Sequence, residues 1–360
     1  MLFRSRTIET YNQQVSKWTE WLAKRGNRTR FDKLTESEQQ LKIDNFVLYN
    51  NQQLNWSEGL KSFLKRQILA EFDADKIRNT LYRPFTRSYL YFDRVFNERV
   101  YVFPSIFPTP KTETENQVIG VTGLGSEKPF MVFLSQHLVD LHLVGAGSSS
   151  QCFPFYSYHE DGANRTENLT DWALSHYRQH YQDNRITKWA IFYYVYGLLH
   201  HPGYRDKYAA NLKRELPRLP MADDFWAFSN AGKKLAKWHL NYEQQPPYPL
   251  KMIENPKVPY SLRVEKMRLS KDQTQLIYNH FLTLDGIPSQ VFNYQLGNRS
   301  ALEWVIDQYR LKADKRSGLI NDPNQEEDEG YIVELVKKVI TVSLNTVKVI
   351  DKLSEYNYQD

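Results

Sequence analysis

Apolar residues recur at helical spacing across residues 8–72. Trp18, Trp21 and Leu22 make one stripe, and Leu60, Phe63, Leu64 and Ile68 make another, opened by Ser57-Glu58-Gly59-Leu60. Asp73 reads as the cap of a further short helix that ends before Tyr82. From Arg83 to about Tyr158 the period changes. Short β-branched and aromatic runs (YLYFD, RVYVF, QVIGV, PFMVFL, LHLV, CFPFY) are separated by Gly, Pro and Ser, which predicts antiparallel strands joined by tight turns. EDGANRTEN, residues 160–168, predicts a loop. Helical spacing returns over residues 170–243, with starts at Thr170 and Thr187, a stop at His201-Pro202-Gly203 and a long helix from Asp223 to Glu243. Residues 250–285 predict short strands, Ser300 to Tyr309 a helix and Tyr331 to Leu353 a longer one. The acidic run Glu326-Glu327-Asp328-Glu329 predicts a solvated loop. The expected fold class is α+β: a helical N-terminal segment, an antiparallel β region, then a helical region with short strands and a C-terminal helix.

Composition narrows the picture. The 360 residues are 41% apolar and 25% charged, enough to bury a sizeable core in one large domain or two. No apolar run is long enough to cross a membrane, and MLFRSRTIETYNQQ has no apolar core of a signal peptide. The single cysteine, Cys152, excludes an internal disulfide and a thiolate metal cluster. A cytoplasmic protein is expected, in which sequons such as Asn298-Arg299-Ser300 carry no meaning. Up to Pro110 there are 18 Lys/Arg against 12 Asp/Glu, and the remainder holds 29 against 30. A basic bias at one end fits a polyanion partner, though solvated helix faces produce the same bias.

Two stretches raise the possibility of methyl transfer. Gln245-Pro246-Pro247-Tyr248 is close to the Asn-Pro-Pro-Tyr loop of amino-group DNA methyltransferases, and NQVIGVTGLGS ends an apolar strand in Gly123-Leu124-Gly125. A cofactor-binding glycine loop should open a helix. Here it leads into PFMVFL, which is hairpin chemistry, and LVGAGSSSQCFP likewise leads into a strand. The residues before Gln245 are helical, and its side chain is a methylene longer than Asn, so a helix-terminating turn is the preferred reading. Gly232-Lys233-Lys234 lacks the Ser/Thr and the upstream Gly of a phosphate loop. His176 and His180 stand at i, i+4 without a third ligand, and His200-His201 at a helix end suits the macrodipole. There is no Glu-x-Lys, no Gly-x-Ser-x-Gly, and no evident histidine partner for Cys152. No active site is expected, and no cofactor in this chain.

What remains is YRPFTRSYLYFDRVFNERVYVFP, which sets Arg83, Arg87, Arg94 and Arg99 among Tyr82, Phe85, Tyr89, Tyr91 and Tyr101. Arginine offers fork-shaped donors for phosphates and guanine edges, and aromatics offer flat contact area. The alternative is a core of aromatics with arginines as surface partners.

Several blocks resemble one family: LYRPFTRSYLYFDRVFNERVYVFPSIFP; NQVIGVTGLGSEKPFMVFLSQHLVDLHLV; QCFPFYSY; IFYYVYGLLHHPGYRDKYAANLKRELPRLP; FWAFSNAGKKLAKWHLNYE; NRSALEWVIDQYRLKADKRSGLINDPN. From about Tyr49 to Leu353 the chain resembles the C-terminal target-recognition (specificity) region of type ISP restriction–modification enzymes. In that family a nuclease, a helicase-like motor, an adenine methyltransferase and a DNA-recognition domain follow in one polypeptide. The resemblance implies that residues 1–80 are a helical segment like the tail of a methyltransferase domain and its connection, with TIETYNQQV near the junction. Residues 81–360 would be the target-recognition domain, β-rich over 83–158, helical over 168–243 and mixed over 250–360.

The resemblance further implies readout of a short asymmetric sequence from the major groove of double-stranded DNA. An adenine would then be delivered to the methyltransferase, which takes it out of the stack. The methyltransferase and motor-nuclease would act in trans if the gene stands alone. A subunit, a split-gene product, a remnant and a fragment all fit. Candidate DNA contacts are Arg83, Arg87, Arg94 and Arg99, with Lys111 and Lys128 at turns. Asn321-Asp322-Pro323-Asn324 reads as an Asx-type turn of the framework. Two rivals stand beside this reading: a degenerate S-adenosylmethionine-dependent methyltransferase and a structural remnant without a DNA surface.

Overall fold

The computed structural model describes residues 5–50, 52–315 and 318–358. In chain order the helices α1 to α4 are Ser5–Ala23, Asn27–Asp32, Glu36–Phe46 and Glu58–Lys65. Strands β1 (Ile77–Arg83) and β2 (Thr86–Tyr91) precede α5 (Phe103–Ile106) and α6 (Pro110–Glu115). Strands β3 to β8 are Val118–Thr122, Val132–Ser135, Leu138–Val139, Ser150–Pro154, Tyr156–Ser157 and Thr166–Glu167. Helices α7 to α10 follow at Asp171–Tyr181, Lys188–Leu198, Pro202–Lys207 and Phe225–Leu240. Next come β9 to β12 (Lys251–Glu254, Arg268–Leu269, Gln275–Ile277, Leu282–Asp285), then β13 (Gln295–Leu296), β14 (Arg299–Ser300) and α11 (Ala301–Gln308). Short strands β15 (Lys312–Ala313) and β16 (Ile320–Asn321) and the long α12 (Tyr331–Leu353) complete the chain. The fold is α+β, with helices and several small sheets, as the apolar periods predict.

The chain divides into two compact units: Met1–Asn79 with Tyr89–Phe103 and Lys312–Asn321, and Thr80–Ser88 with Pro104–Leu311 and Asp322–Asp360. The first unit is built on fully buried Tyr11 and Trp18 of α1, which meet Phe31, Ile43, Leu60, Leu64 and Tyr91. The Tyr11 hydroxyl donates to the Ile68 carbonyl at 2.8 Å. Both ends of the Asn12 amide bracket the backbone of Ala70, at 2.7 and 2.9 Å. The exit from α4 is thereby fixed with its polar groups satisfied.

The second unit holds the larger core. In the three-stranded sheet β4-β3-β6, β3 is buried along its whole length. Gly120 of β3 leaves room for the Phe133 ring from β4, which a Cβ there would strike. Against this core α8 crosses α10 at two glycines. A Cβ on Gly232 would collide with the Tyr193 carbonyl oxygen and stand 2.8 Å from the Gly197 amide nitrogen. A Cβ on Gly197 would strike the Phe228 carbonyl. Such close approach lets fully buried Tyr194, Tyr196, Phe228 and Leu235 pack around the crossing.

Four local expectations are corrected. Asp73 caps only a single turn, accepting from the Asp75 amide at 2.9 Å, and β1 begins directly after it. RVYVF is no strand: turns lead into α5, because Asp93 and Asn97 bond to each other's neighbourhood and Tyr101 adopts φ 46°. LHLV forms turns, because the His142 amide donates to Asp140 Oδ1 at 2.8 Å and the Gly145 amide to the His142 carbonyl at 2.8 Å. The supposed stop at His201 also starts a helix, since its ring accepts from the Tyr204 amide at 3.1 Å and Pro202 occupies the first turn of α9. By contrast α12 occupies the predicted span, and Thr170, Thr187 and Ser300 each cap a helix.

A buried polar cluster lies at the crossing. The Tyr196 hydroxyl meets His239 Nδ1 at 2.6 Å, His239 Nε2 meets Thr346 Oγ1 of α12 at 2.9 Å, and His200 Nδ1 donates to the Tyr196 carbonyl at 2.8 Å. Burial pushes the His200 imidazole down to about 3 and holds His239 well below the ordinary range.

Two outcomes follow. Gly232→Ala forces the helices apart and should cost about 3 kcal/mol, the upper end for overpacking, read as a lower urea midpoint with α8 and α10 less protected from hydrogen exchange. Unchanged stability would refute the close crossing. Both histidines are neutral when folded but take up protons below about pH 6.5 when unfolded. Stability is therefore complete above that value and falls by about 1.4 kcal/mol per pH unit for each histidine as the pH drops toward 4. The urea midpoint should fall between pH 7.5 and 5.5, and His239→Gln should flatten that fall.

Candidate nucleic-acid interface

The arginine-rich block begins with a turn. Pro84 and Phe85 join β1 to β2, and Phe85 takes φ 55° and is buried. Its ring stands edge-on to Tyr242 at 5.2 Å, close to Tyr294 and His239. The two flanking arginines hold this turn in place. Arg83 pairs with Asp140 at 3.1 Å and stacks over Tyr82. Arg87 pairs with Glu243 at 2.9 Å, donates to the Leu240 carbonyl at the end of α10 at 2.9 Å, and lies over the Tyr242 ring. The other oxygen of Glu243 accepts from the Tyr331 hydroxyl at 3.1 Å. Arg83 and Arg87 are thus half-buried parts of an internal network.

The other four cations have different settings. In the first unit Arg94 and Arg99 are exposed at turns after β2. In the second, Lys111 is exposed in the first turn of α6, behind the Thr109 cap. Lys128 is half-buried in the β3–β4 connection, where its amide nitrogen donates to Ser126 Oγ and Ser148 Oγ at 3.1 and 3.2 Å.

The methyltransferase-like stretches become structural features. Gly123-Leu124-Gly125 sits in the β3–β4 hairpin and leads to a strand. Its partner is the second glycine stretch: the Gly123 amide donates to Ser149 O at 2.7 Å and the Glu127 amide to Gly147 O at 3.2 Å. The two candidate cofactor loops therefore hold each other, and no helix opens on either. Gln245 follows α10 and a short 3-10 turn, and its amide nitrogen donates back to the Asn241 carbonyl at 2.9 Å. Tyr248 is tied to the Lys337 carbonyl through its backbone at 3.0 Å. YEQQPPYPL is a pinned helix exit in which the side chains of Glu243 and Tyr242 hold Arg87 and Tyr331 and Tyr248 is held through its backbone. Trp172 stacks on His176 at 5.1 Å, and His180 stands edge-on to Tyr181 at 4.7 Å. Among the described residues no group of three or more His, Cys, Asp or Glu could hold a metal ion, and no helix is long and apolar enough to cross a membrane.

The structure also gathers cations that the sequence reading passed over. On α10, Asn230, Lys233, Lys234 and Lys237 share one stripe that ends at the C-cap Asn241, with Gln117, Gln136 and Tyr193 opposite, around a cleft of about 610 Å³. On the far side of Lys234 a second cleft of about 300 Å³ runs between α10 and α12, lined by Lys348 and Lys352. The signal was present as lysines at i, i+4 on two helices, but only packing makes the stripes neighbours. Elsewhere, Arg268, Ile277, Thr283 and Ile253 form one cross-strand row on the solvent side of the sheet β10-β11-β12-β9. A cleft of about 520 Å³ at this sheet is lined by Arg263, Lys266, Arg268 and Phe281. Arg263 itself is paired with Asp322, inside the expected Asx turn, where the Asn324 amide donates to Asp322 Oδ1 at 3.0 Å.

These features define a mixed α+β module with cationic surfaces and glycine loops engaged in structure. Residues 4–335 match the family described as the type ISP C-terminal specificity domain. Three solved structures share the fold. A nuclease-deletion mutant of the type ISP restriction–modification enzyme LlaGI, in complex with a DNA substrate mimic, is 32% identical, with a TM-score of 0.80 over 99% of this chain and 31% of its own. The ATP-dependent type ISP enzyme LlaBIII bound to DNA is 26% identical, with a TM-score of 0.80 over 98% of this chain and 22% of its own. The DrdV–DNA complex is 29% identical, with a TM-score of 0.77 over 97% of this chain and 34% of its own. No curated protein matches. The chain belongs to the type ISP C-terminal specificity-domain family, and it spans about a third or less of the length of these enzymes.

Arg87→Ala should lower stability by about 1.5–3 kcal/mol, since it leaves Glu243 and the α10 end without their donor. Arg99→Ala should stay within about 0.5 kcal/mol. Chemical denaturation of the two variants checks the contrast, and equal effects would contradict the assigned roles.

Proposed function

We propose that this chain is a sequence-specific DNA recognition module that reads a short asymmetric site in double-stranded DNA. It positions that DNA for an adenine methyltransferase and motor-nuclease. The single observation that carries the reading is the match, along 99% of the chain, to a type ISP enzyme described in complex with a DNA substrate mimic. Family membership over residues 4–335 supports it. The module is read as non-catalytic by itself, cytoplasmic, and dependent on its partners' chemistry, whether these act in trans or within a longer polypeptide. The degenerate-methyltransferase reading loses support from the geometry, because its glycine loops close a hairpin and Gln245 bonds back to a helix end.

Residues 1–80 are read as the connection to a methyltransferase domain and residues 81–360 as the recognition domain. Of the candidate contacts, Arg94, Arg99, Lys111 and Lys128 are assigned to the DNA surface. Arg83 and Arg87 are assigned to the framework that shapes the β1–β2 turn. Recognition needs such rigid supports, because base contacts specify only when their register is fixed.

The test is selection from a randomised duplex pool by the purified chain at near-physiological salt. Enrichment of one short asymmetric sequence is the expected result. If no sequence is enriched, even after adding a type ISP methyltransferase region, the chain is a remnant and the proposal fails.

A further inference from the structure

We propose that the paired clefts on α10 and α12 form a phosphate track, in which Lys233, Lys234, Lys237, Lys348 and Lys352 neutralise one strand of the DNA backbone. The inference rests on the DNA-recognition reading and adds to it the surface that supplies sequence-independent affinity. No residue of this track stands among the contacts assigned above.

The first observation is continuity. The two clefts share Asn230 and Lys234, which stand between them, so lysine-lined surface continues from Gln136 past α10 to Lys352. All five lysines are exposed.

The second is the lack of compensation. No carboxylate stands among the described residues lining either cleft. Four other lysines of this chain are paired: Lys61 with Asp44, Lys76 with Asp93, Lys188 with Glu167 and Asp171, and Lys337 of α12 with Glu334. Lys233 and Lys237, and again Lys348 and Lys352, are like charges at i, i+4, an arrangement that destabilises a helix by a few tenths of a kcal/mol per pair. A polyanion removes that repulsion.

The third is the chemistry of the remaining lining. Asn230, Asn241, Gln117 and Gln136 present amide groups, whose N–H donors suit phosphate oxygens, beside point charges. Lysine is a strongly hydrated point charge without the planar fork that reads guanine or holds a single anion bidentately. Five of them along an open surface fit a repeating backbone better than one small anion. The track stands on the α8–α10 crossing, whose buried residues belong to the core of the second unit, so its lysines start from packed helices.

Duplex binding by the full chain is measured by fluorescence anisotropy across a salt series. Three forms are compared: the unchanged chain, K233Q/K234Q/K237Q and K348Q/K352Q. Each phosphate contact contributes roughly 0.9 to the slope of log affinity against log salt. The triple variant should therefore lose roughly 2.7 from the slope and the double variant roughly 1.8. Both should keep the preference among sequences and a melting temperature equal to or above the parent's. Variants that bind with the parent's slope and affinity overturn the track while leaving the DNA-recognition reading intact. Failure of the unchanged chain to bind any duplex at low salt, with or without a type ISP methyltransferase region, overturns both. Loss of sequence preference without loss of slope would make these residues base readers and also overturn the track.

Discussion

The close crossing of α8 and α10 at Gly197 and Gly232 governs the second unit. Two helices can approach to backbone contact only where no Cβ intervenes, and the approach sets the position of every side chain on both. The Tyr196–His239–Thr346 chain brings α12 into the same cluster. Neutral imidazoles are suited to this place: each ring nitrogen can donate or accept without a buried charge. The opposite face of α10, freed from packing, presents the lysine stripe. Core and cationic surface are thus two sides of one helix.

A second tie extends this frame to the β1–β2 turn. Arg87 joins the strand to the carbonyl end of α10 and to Glu243, which also takes the Tyr331 hydroxyl. A cation at a helix C-terminus complements the free carbonyls and the dipole. The Pro-Phe turn is then drawn into aromatic packing, despite the positive φ of Phe85. In a recognition module such rigidity matters more than total stability, because discrimination between bases is lost when the reading surface shifts.

Much of the fold was legible. The predicted spans of α12 and α11 and the caps Thr170, Thr187 and Ser300 rest on local chemistry, and that chemistry survives in the structure. The misread segments were those without local commitment. RVYVF has strand composition, but the Asp93 and Asn97 side chains turn the chain first. LHLV has strand composition, but the Asp140 side chain takes the His142 amide and turns the chain. The candidate interface was less legible. Arginines among aromatics have the same pattern whether they face DNA or pair with Asp140 and Glu243, and both acids lie far away in sequence.

The sequence by itself determined the α+β class, the helix boundaries set by caps, and the likeness to a specificity region. Each depends on contacts within a few residues or on ordered blocks that need no third dimension to be compared. Tertiary structure alone decided that the two glycine stretches hold each other, that Gln245 turns back on a helix end, and that lysines from α10 and α12 share one surface. In all three cases the partners are brought together by helix and sheet packing. The sequence lists their charges and donors without saying which of them will meet.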